Sequence, residues 1–580
     1  GYKKPPAVTI TPAAGDSTGT GATAEAIVDL TVGSPTFSRV TSVRLKTVGS
    51  GYTAPPTVTI GPPPAGGKQA AGVATLYSKP TEVGMLPASK AFPARWPVNW
   101  TVNDTPGMTP NILDEREGGV PDPRKVGPSI IQIGSEGGIL PAPVVLRNTP
   151  IGYEQNKRSV TVLNTMEHTL FMGPAERADI IIDFSQFAGK TLILYNDSPA
   201  PVPAGDPRYD HYTAGPDNRA MGGAPSTSAG FGPNTRTVMQ IRVGGSANRP
   251  AFDPATLNAP MTAAFTKTQP VPVVPAGTYA RISDTSMNIN GIDTPLKPKT
   301  IQELFDPYGR MNATLGVEVP FTSSVVQTTI PYGYIDPATE VIADGETQLW
   351  KITHNGVDTH AIHFHLFNVQ VVNRVGWDGA IKPPQSEELG WKETVKMNPL
   401  EDIVVALRAK TPTVPFSVPN NVRALDPTQP IDSTTGFLGV DPNNNPVPVA
   451  NKLANFGHEY TWHCHLLGHE ENDMMRAVMV AVPPLPPSNL SAAASGGDVL
   501  LTWTNTDPGT SGITVQRATD SGFTQNVENF SLGVVTDYTD TTTGGATHFY
   551  RVSANGVVGS GVSGYPSVAT VSSWSDMATH

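Results

Sequence analysis

The only cysteine of the 580-residue sequence lies among histidines in its C-terminal quarter. His463, Cys464 and His465 are consecutive, and His469 and Met474 follow in the spacing H-C-H-x3-H-x4-M. A thiolate, imidazole and a weak axial thioether form the ligand set of a blue-copper electron-transfer site. Successive side chains of a strand point to opposite faces, so we expect His463 and His465 on one face and Cys464 on the other. One strand could then serve two metal centres.

A second histidine cluster lies about a hundred residues upstream. His360, His363 and His365 have the spacing H-x-x-H-x-H and open an apolar run over residues 367–372 that is typical of a strand. His363 and His365 are two apart and share a strand face, whereas His360 can turn to another site. Exposed histidines at a strand edge need no metal. If the second cluster is considered by itself, a role without metal stays an alternative.

The elements that position these residues are predicted to be strands. The 58 prolines and 56 glycines are spread between runs rich in Val, Thr and Ile, as turns are in an all-β protein. Few stretches show helical periodicity, and residues 301–308 are one short helical candidate. The predicted fold class is all-β.

The two motifs, with residues 332–337 and 390–394, resemble the final cupredoxin domain of a multicopper oxidase. The similarity points to the branch of bacterial laccases, bilirubin oxidases and spore-coat laccases, and it implies copper of types 1, 2 and 3, four ions in the complete protein. The implied type 1 ligands are His360, Cys464, His469 and Met474, the type 2 ligand is His363, and the type 3 ligands are His365, His463 and His465.

The resemblance also implies two catalytic residues, Cys464 in electron transfer and Glu470 on the proton route to dioxygen. A solvated loop carboxylate is the alternative for Glu470. Met474 as axial ligand is expected to hold the type 1 potential below that of relatives with Leu or Phe there.

Half of the family's trinuclear ligands come from a first domain, as H-x-H pairs. The six histidines outside the two motifs form no such pair here: His168, His211, His354, His458, His548 and His580. We therefore expect an N-terminal domain that was cleaved, omitted or supplied by another chain; loss of the trinuclear centre is the alternative. His354 is expected to be a turn histidine, and His548 and His580 surface histidines.

These features predict a laccase-like oxidase that couples one-electron oxidation of a donor to four-electron reduction of dioxygen to water. The donor is left open among phenols, pyrroles and metal ions. One alternative is a type 1 copper electron-transfer or copper-binding protein with an incomplete trinuclear centre. Another is a surface scaffold, because roughly 170 residues lie outside the oxidase core.

The chain divides into four predicted domains. Residues 1–80 carry a 50-residue repeat, in which residues 1–10 match residues 51–60, and strands are expected over 21–30 and 69–76. Residues 81–250 resemble the family's copper-free middle domain, in which Glu176 and Arg177 are expected to form a structural ion pair at a turn and residues 201–234 a surface loop. Residues 261–483 are the copper-binding cupredoxin domain, after a linker over 244–260. Residues 483–487 read as a stiff spacer before a fibronectin type III-like sandwich at 488–573.

The net charge and the hydropathy of the sequence indicate which kinds of binding partner are expected. A net charge of −11 argues against nucleic acid, because phosphate binding needs clustered Lys and Arg. No run of 18 apolar residues exists in the sequence, so no membrane span is predicted. An extracytoplasmic location (periplasmic, cell-surface or secreted) is expected from the family and from the appended β modules.

Overall fold

The computed structural model describes residues 1–74, 85–86, 120–121, 125–149, 151–154, 158–161, 163–198, 217–221, 223, 237–245, 250–305, 311–323, 326–365 and 367–580. Strand makes up 43% of the structure and helix 6%, so the predicted all-β class is confirmed. No helix in the described ranges is long and apolar enough to span a membrane. Most of the surface loop predicted over residues 201–234 lies outside the described residues.

The N-terminal repeat forms a paired unit. Its strands are β1 (Val8–Thr11), β2 (Thr20–Val28), β3 (Val40–Ser50) and β4 (Thr57–Ile60). The matching strands of the two copies, β1 and β4, pair antiparallel with each other, and Val8 lies opposite Ile60. Each copy thus completes the sheet of the other, as expected of units too small to be stable alone. The strand predicted over residues 69–76 is wrong for residues 69–74, which form no ladder, and residues 75–76 are not described.

The next region contains short strands and small sheets. They are β5 (Met85–Leu86), β6 (Val120–Pro121), β7 (Ile130–Ser135), β8 (Gly138–Leu146), β9 (Gly152–Tyr153), β10 (Thr165–Glu167), β11 (Ala178–Ile182), β12 (Thr191–Tyr195) and β13 (Thr237–Arg242). Strands β11, β7 and β8 form one sheet in that order. Short 3₁₀ turns occur at Ser185–Phe187 and Arg219–Met221.

A helix follows where the sequence analysis placed a linker. A 3₁₀ turn at Pro254–Leu257 leads into α1 (Asn258–Thr268). The Asp253 carboxylate accepts a hydrogen bond from the Ala255 N–H, and Pro254 occupies the first position of the turn. An N-cap aspartate before a proline is a known helix start, so the sequence did contain a signal for this element.

Most of the following strands build a two-sheet sandwich. They are β14 (Ser286–Ile289), β15 (Ile292–Phe305), β16 (Met311–Ser323), β17 (Val326–Tyr332), β18 (Glu340–Ala343), β19 (Thr347–His354), β20 (His360–Phe364), β21 (Val369–Gly376), β22 (Ile381–Lys382), β23 (Thr394–Met397), β24 (Glu401–Arg408), β25 (Val422–Ala424), β26 (Leu453–Asn455), β27 (His458–Cys464) and β28 (Met475–Ala481). A 3₁₀ turn lies at Ser386–Glu388, and the short helix α2 is Leu467–Glu470.

Within the described residues, one sheet has the order β17-β16-β15-β19-β24-β21-β22, with β14 on β15, and the facing sheet has the order β18-β28-β27-β20-β23. Strand β24 is apolar along most of its length because both of its faces are buried. Ile403, Val405 and Leu407 face the core between the sheets, whereas Val404 and Ala406 face a second core.

The helix proposed for residues 301–308 is wrong. Residues 301–305 are the end of β15, which pairs parallel with β19, so that Ile301 lies beside His354. On its other edge β15 pairs antiparallel with β16. These ladders hydrogen-bond both edges of the segment and outweigh its weak helical pattern. Residues 306–308 lie outside the described residues.

The C-terminal residues form a second sandwich. Its strands are β29 (Ser488–Ser495), β30 (Asp498–Thr504), β31 (Thr510–Ala518), β32 (Glu528–Leu532), β33 (Asp537–Asp540), β34 (Phe549–Gly559), β35 (Ser567–Val571) and β36 (Ala578–Thr579). β25 and β26 belong to a sheet of this sandwich, in the order β25-β26-β34-β31-β32, and Asn455 pairs with Gly559. Met479 of β28 lies in one core cluster with Val558 of β34, so the two sandwiches touch directly.

Candidate metal centre

Strand register brings the two histidine motifs together. β20 lies between β27 and β23, with His363 directly opposite His463 and Ile362 opposite Cys464. Because alternate side chains point to opposite faces, His360 and Cys464 share the face that packs into the sandwich core. His363 and His463 share the other face.

Three ligand atoms converge at the core face. The distances are 3.5 Å from Cys464 Sγ to His360 Nδ1, 3.9 Å from Cys464 Sγ to His469 Nδ1, and 3.3 Å between the two Nδ1 atoms. Metal bonds of about 2.0 Å to nitrogen and 2.3 Å to sulfur separate such ligand atoms by about 3.3–3.8 Å. The trio therefore has the spacing of a preformed metal site.

Met474 lies directly beside this trio. It is fully buried and belongs to the same core cluster as Cys464. Its N–H donates to the His469 carbonyl (3.0 Å), and its carbonyl accepts from the Cys464 N–H (3.1 Å). The turn through α2 thus returns the chain to the cysteine and places the Met474 side chain in the same core cluster.

A second group of imidazoles occupies the outer face. Nε2 of His365 lies 3.0 Å from Nε2 of His463, and the His363 ring lies 5.0 Å from that of His365 and 5.4 Å from that of His463. His465 completes the group, with ring centres 5.5 Å from His363 and 5.4 Å from His463. All four predicted trinuclear histidines are therefore adjacent.

Neighbouring groups orient two of these rings. His363 Nδ1 makes a 2.9 Å hydrogen bond with the Thr394 hydroxyl, and His463 Nδ1 makes one of 3.1 Å with the Cys464 carbonyl. In both rings Nε2 is the nitrogen left for a metal. Fixing the other nitrogen of a ligand histidine in this way sets its tautomer and orientation.

The lowered pKa values of the histidines favour metal binding, because neutral imidazole is the form that binds a metal. Burial, and next the neighbouring rings of His365 and His463, lower the pKa of His363 to about 4. Burial likewise lowers the pKa of His360 and of His469. These imidazoles are neutral at pH 7. Burial raises the pKa of the Cys464 thiol to about 12, so binding of a metal by its thiolate must release a proton.

Glu470 lies on the side of the outer group. Its Oε2 is 3.5 Å from His463 Nδ1, and this oxygen is buried without a hydrogen-bond partner among the described residues. The carboxylate points toward the histidine cluster although it follows His469 in sequence. The position is compatible with the predicted proton route.

Sequence reasoning missed Glu303. Its Oε1 accepts a 3.0 Å hydrogen bond from Nε2 of His360. Burial raises its pKa, but the bond to His360 and two backbone N–H groups outweigh this effect and bring the pKa to about 2. Nothing in the local sequence singles out Glu303, because it lies 57 residues from His360.

His354 is a turn histidine in the structure, at the end of β19. Its Nδ1 accepts from the Gly356 N–H (3.1 Å), so Nε2 carries the proton and donates to the Asp358 carbonyl (2.6 Å). Both nitrogens are therefore occupied within one turn.

A family model for multicopper oxidases matches residues 305–416. The chain is 24% identical over 370 residues to a laccase of Bacillus subtilis, which covers 62% of this chain and 47% of the relative. It is 22% identical over 319 residues to a laccase of Haloferax volcanii (54% and 35%), and 25% identical over 350 residues to the rice multicopper oxidase LPR1 homolog 3 (55% and 50%). Residues 305–416 thus match a multicopper oxidase domain, and the wider chain is similar to laccases and multicopper oxidases.

This chain spans about half or less of the length of those relatives. The solved McoA multicopper oxidase of Aquifex aeolicus aligns with 61% of this chain and 50% of that one at 17% identity. The TM-score of this match is 0.29.

Copper is the cofactor that the family implies, and the donor atoms fit it. One thiolate, two Nδ1 atoms and a buried thioether form the softer set on the core face, as blue copper requires. The outer face offers four imidazoles, which also suit copper. The assignment of single residues to copper types stays a prediction.

Proposed function

We propose that this chain carries the electron-accepting domain of a laccase-like multicopper oxidase. When bound, copper would take single electrons from a donor and deliver them to dioxygen, which is reduced to water. His360, Cys464, His469 and Met474 would hold the type 1 ion. His363 would bind type 2 copper, and His365, His463 and His465 type 3 copper.

One observation carries this proposal. Cys464 lies opposite Ile362 on the core face of β20 and β27, while His463 lies opposite His363 on the outer face. A single strand therefore presents a thiolate to one group of ligands and an imidazole from the neighbouring residue to another. Electrons would pass along the covalent path from Cys464 to the flanking histidines, with no diffusing carrier.

The rest of the trinuclear ligand set would come from another domain or chain. The histidines outside the two motifs form no H-x-H pair in this sequence. Among the described residues of the outer face, His365 is exposed, which is compatible with contact to such a domain. We infer an extracytoplasmic location for the assembly, which fractionation of source cells would test.

The structure favours an organic electron donor over a metal ion. Two of the three carboxylates that follow His469 are engaged elsewhere, because Asp473 accepts from the Tyr334 N–H and Glu470 points to His463. Leu467, two residues before His469, is 70% exposed. An exposed apolar side chain beside the site suits a phenol ring better than a hydrated cation.

The first experiment is a copper count with visible and electron paramagnetic resonance spectra on protein from its natural source. About four coppers per chain, with a type 1 and a type 2 signal, would support the proposal. About one blue copper would instead favour an electron-transfer or copper-binding protein. The absence of any blue copper would refute the type 1 assignment.

Electron donors are then compared under one set of conditions. We expect 2,6-dimethoxyphenol to be oxidised with a higher kcat/KM than Mn(II), Fe(II) or Cu(I). Leu467→Asp should reduce kcat/KM for the phenol and not for the cations. The reverse ranking would overturn the organic assignment and leave the copper sites intact.

A further inference from the structure

The carboxylate of Glu303 is held in a pocket of the turn that precedes His360. Its Oε1 accepts from the Asp358 N–H (2.9 Å) and from His360 Nε2 (3.0 Å), and its Oε2 accepts from the Val357 N–H (2.8 Å). Two backbone N–H groups and one imidazole thus donate hydrogen bonds to the same carboxylate. The turn binds this carboxylate as an anion site would.

Gly356 makes room for that carboxylate. A Cβ on Gly356 would lie 2.0 Å from the Glu303 carboxyl carbon and 2.2 and 2.3 Å from its two oxygens. The Gly356 backbone does not have a positive φ, so conformational freedom does not explain the glycine. Its role is to leave space for Glu303.

Strand geometry brings Glu303 to the metal ligands. Ile301 and Glu303 are two apart on β15 and share a face, and Ile301 lies in the core cluster that contains Cys464. The carboxylate therefore enters the sandwich from the sheet that faces β20 and β27. His360 therefore contacts Cys464 of its own sheet and Glu303 of the facing sheet.

The hydrogen bond determines which nitrogen of His360 can bind metal. A carboxylate only accepts hydrogen bonds, so Nε2 of His360 carries the proton and donates it. Nδ1 is then a free lone pair, and it is the atom that lies 3.5 Å from Cys464 Sγ. His354 does not compete for this bond, because its Nε2 donates to the Asp358 carbonyl.

We propose that Glu303 is a positioning residue of the type 1 copper site, which fixes the tautomer and orientation of His360 and holds the copper potential down. The inference rests on the proposed function, since it requires type 1 copper at His360. A fixed negative charge hydrogen-bonded to a ligand imidazole increases its basicity. The oxidised ion, Cu(II), gains more from this effect than Cu(I), so the potential is lower.

The test measures Cu(II) affinity, the thiolate-to-copper absorption and the redox potential of the full chain. Wild type must first show blue copper; if it does not, the proposed function fails and not this inference alone. Glu303→Gln keeps the shape but removes the charge, and it places an NH2 group against a backbone N–H. We expect about a 10–100-fold loss of Cu(II) affinity, a shifted absorption band and a higher potential.

Gly356→Ala tests the same contact with every charge retained. The added methyl group must displace the carboxylate, so affinity and potential should move in the same direction as in Glu303→Gln. Gly533→Ala is the matched control, since a Cβ there meets nothing within 4 Å. Glu318→Gln is the control for loss of a buried carboxylate, because Glu318 bonds the Thr329 hydroxyl (2.6 Å) on a neighbouring strand.

The inference is overturned if Glu303→Gln and Gly356→Ala both leave affinity within twofold of the controls and leave spectrum and potential unchanged. If either variant misfolds by circular dichroism, the other decides. If both misfold, the copper-free wild type is examined by ¹⁵N-histidine NMR. A proton on Nε2 of His360 supports the inference, and a proton on Nδ1 refutes it.

Discussion

The interface between the β7–β11 region and strand β23 offers the most exacting test of how the site is supported. Glu176 binds Lys392 (2.9 Å) and Lys396 (3.2 Å), and Lys392 also binds Glu136 (3.0 Å), all with buried side chains. Lys396 lies on β23, whose Thr394 contacts His363. The predicted ion pair between Glu176 and Arg177 is wrong: Arg177 binds Glu393 at the surface instead (2.8 Å).

The perturbation is Glu176→Gln. Lys392 keeps Glu136, but Lys396 loses the only carboxylate within salt-bridge distance among the described residues. Removing one partner of a buried pair costs about 3–5 kcal/mol because the other charge stays buried. Breaking the exposed pair of Arg177, whose side chain is 59% exposed, costs at most about 1 kcal/mol. Arg177→Gln is therefore the control.

Hydrogen exchange of the β23 amides is the assay, since a chain of several domains does not unfold in two states. We expect Glu176→Gln to lower the free energy of local opening at Thr394–Met397 by about 3–5 kcal/mol. Adding Lys396→Met removes the unpaired buried charge. The double variant should therefore regain most of the lost free energy of local opening. Equal protection in Glu176→Gln and Arg177→Gln would refute the reasoning.

The pH dependence has a definite sign. Burial raises the pKa of Glu176, but Lys396 and Lys392 outweigh it, so that the net pKa in the folded state lies below the ordinary 4.5. A lowered carboxylate pKa stabilises the fold above the unfolded-state value, and this stability is lost as pH falls through the folded-state pKa. Protection of β23 should therefore decline below about pH 4.5 in wild type. Glu176→Gln should show a flatter decline.

Three further predictions concern the metal centre and its surroundings. Met474→Leu should raise the type 1 potential because it removes the axial thioether; voltammetry that shows no rise would refute Met474 as a ligand. Glu470→Gln should slow reoxidation by dioxygen in the complete assembly and leave the blue absorption unchanged, as followed by stopped-flow, whereas an unchanged rate would favour the solvated-loop reading. Asp507→Ala leaves the N–H groups of Asn420 and Leu485 unpaired (3.2 and 2.9 Å) and should cost about 3 kcal/mol; thermolysin should then release residues 488–580 faster than in wild type.

The metal ligands could be predicted from the sequence because they lie close together in short motifs. The spacing around Cys464 and the alternation of a strand are enough to separate the thiolate from His463 and His465. The register that places His363 opposite His463 depends on pairing across a hundred residues, and periodicity does not encode it. Family resemblance supplied this step in the prediction.

Glu303 shows why the surroundings of the ligands could not be predicted. Its position depends on the parallel pairing of β15 with β19 and on the turn after His354. The local sequence around 301–308 even suggested a helix. The Asn355-Gly356 pair does mark a turn, but it does not show that the glycine admits a carboxylate from another strand.

The C-terminal sandwich packs against a strand that also supports the predicted copper ligands. Residues 483–487 were predicted to be a spacer, yet Leu485 donates to Asp507 and the Pro483 carbonyl accepts from Asn420. Strand β28, which starts directly after Met474, places Val478 and Val480 in the core with Cys464. Its opposite face packs Ala477, Met479 and Ala481 against Val558, Val562 and Val568 of the C-terminal sandwich. Detaching that sandwich would expose one face of the strand whose other face packs the copper ligands, so loss of the module should loosen the type 1 site.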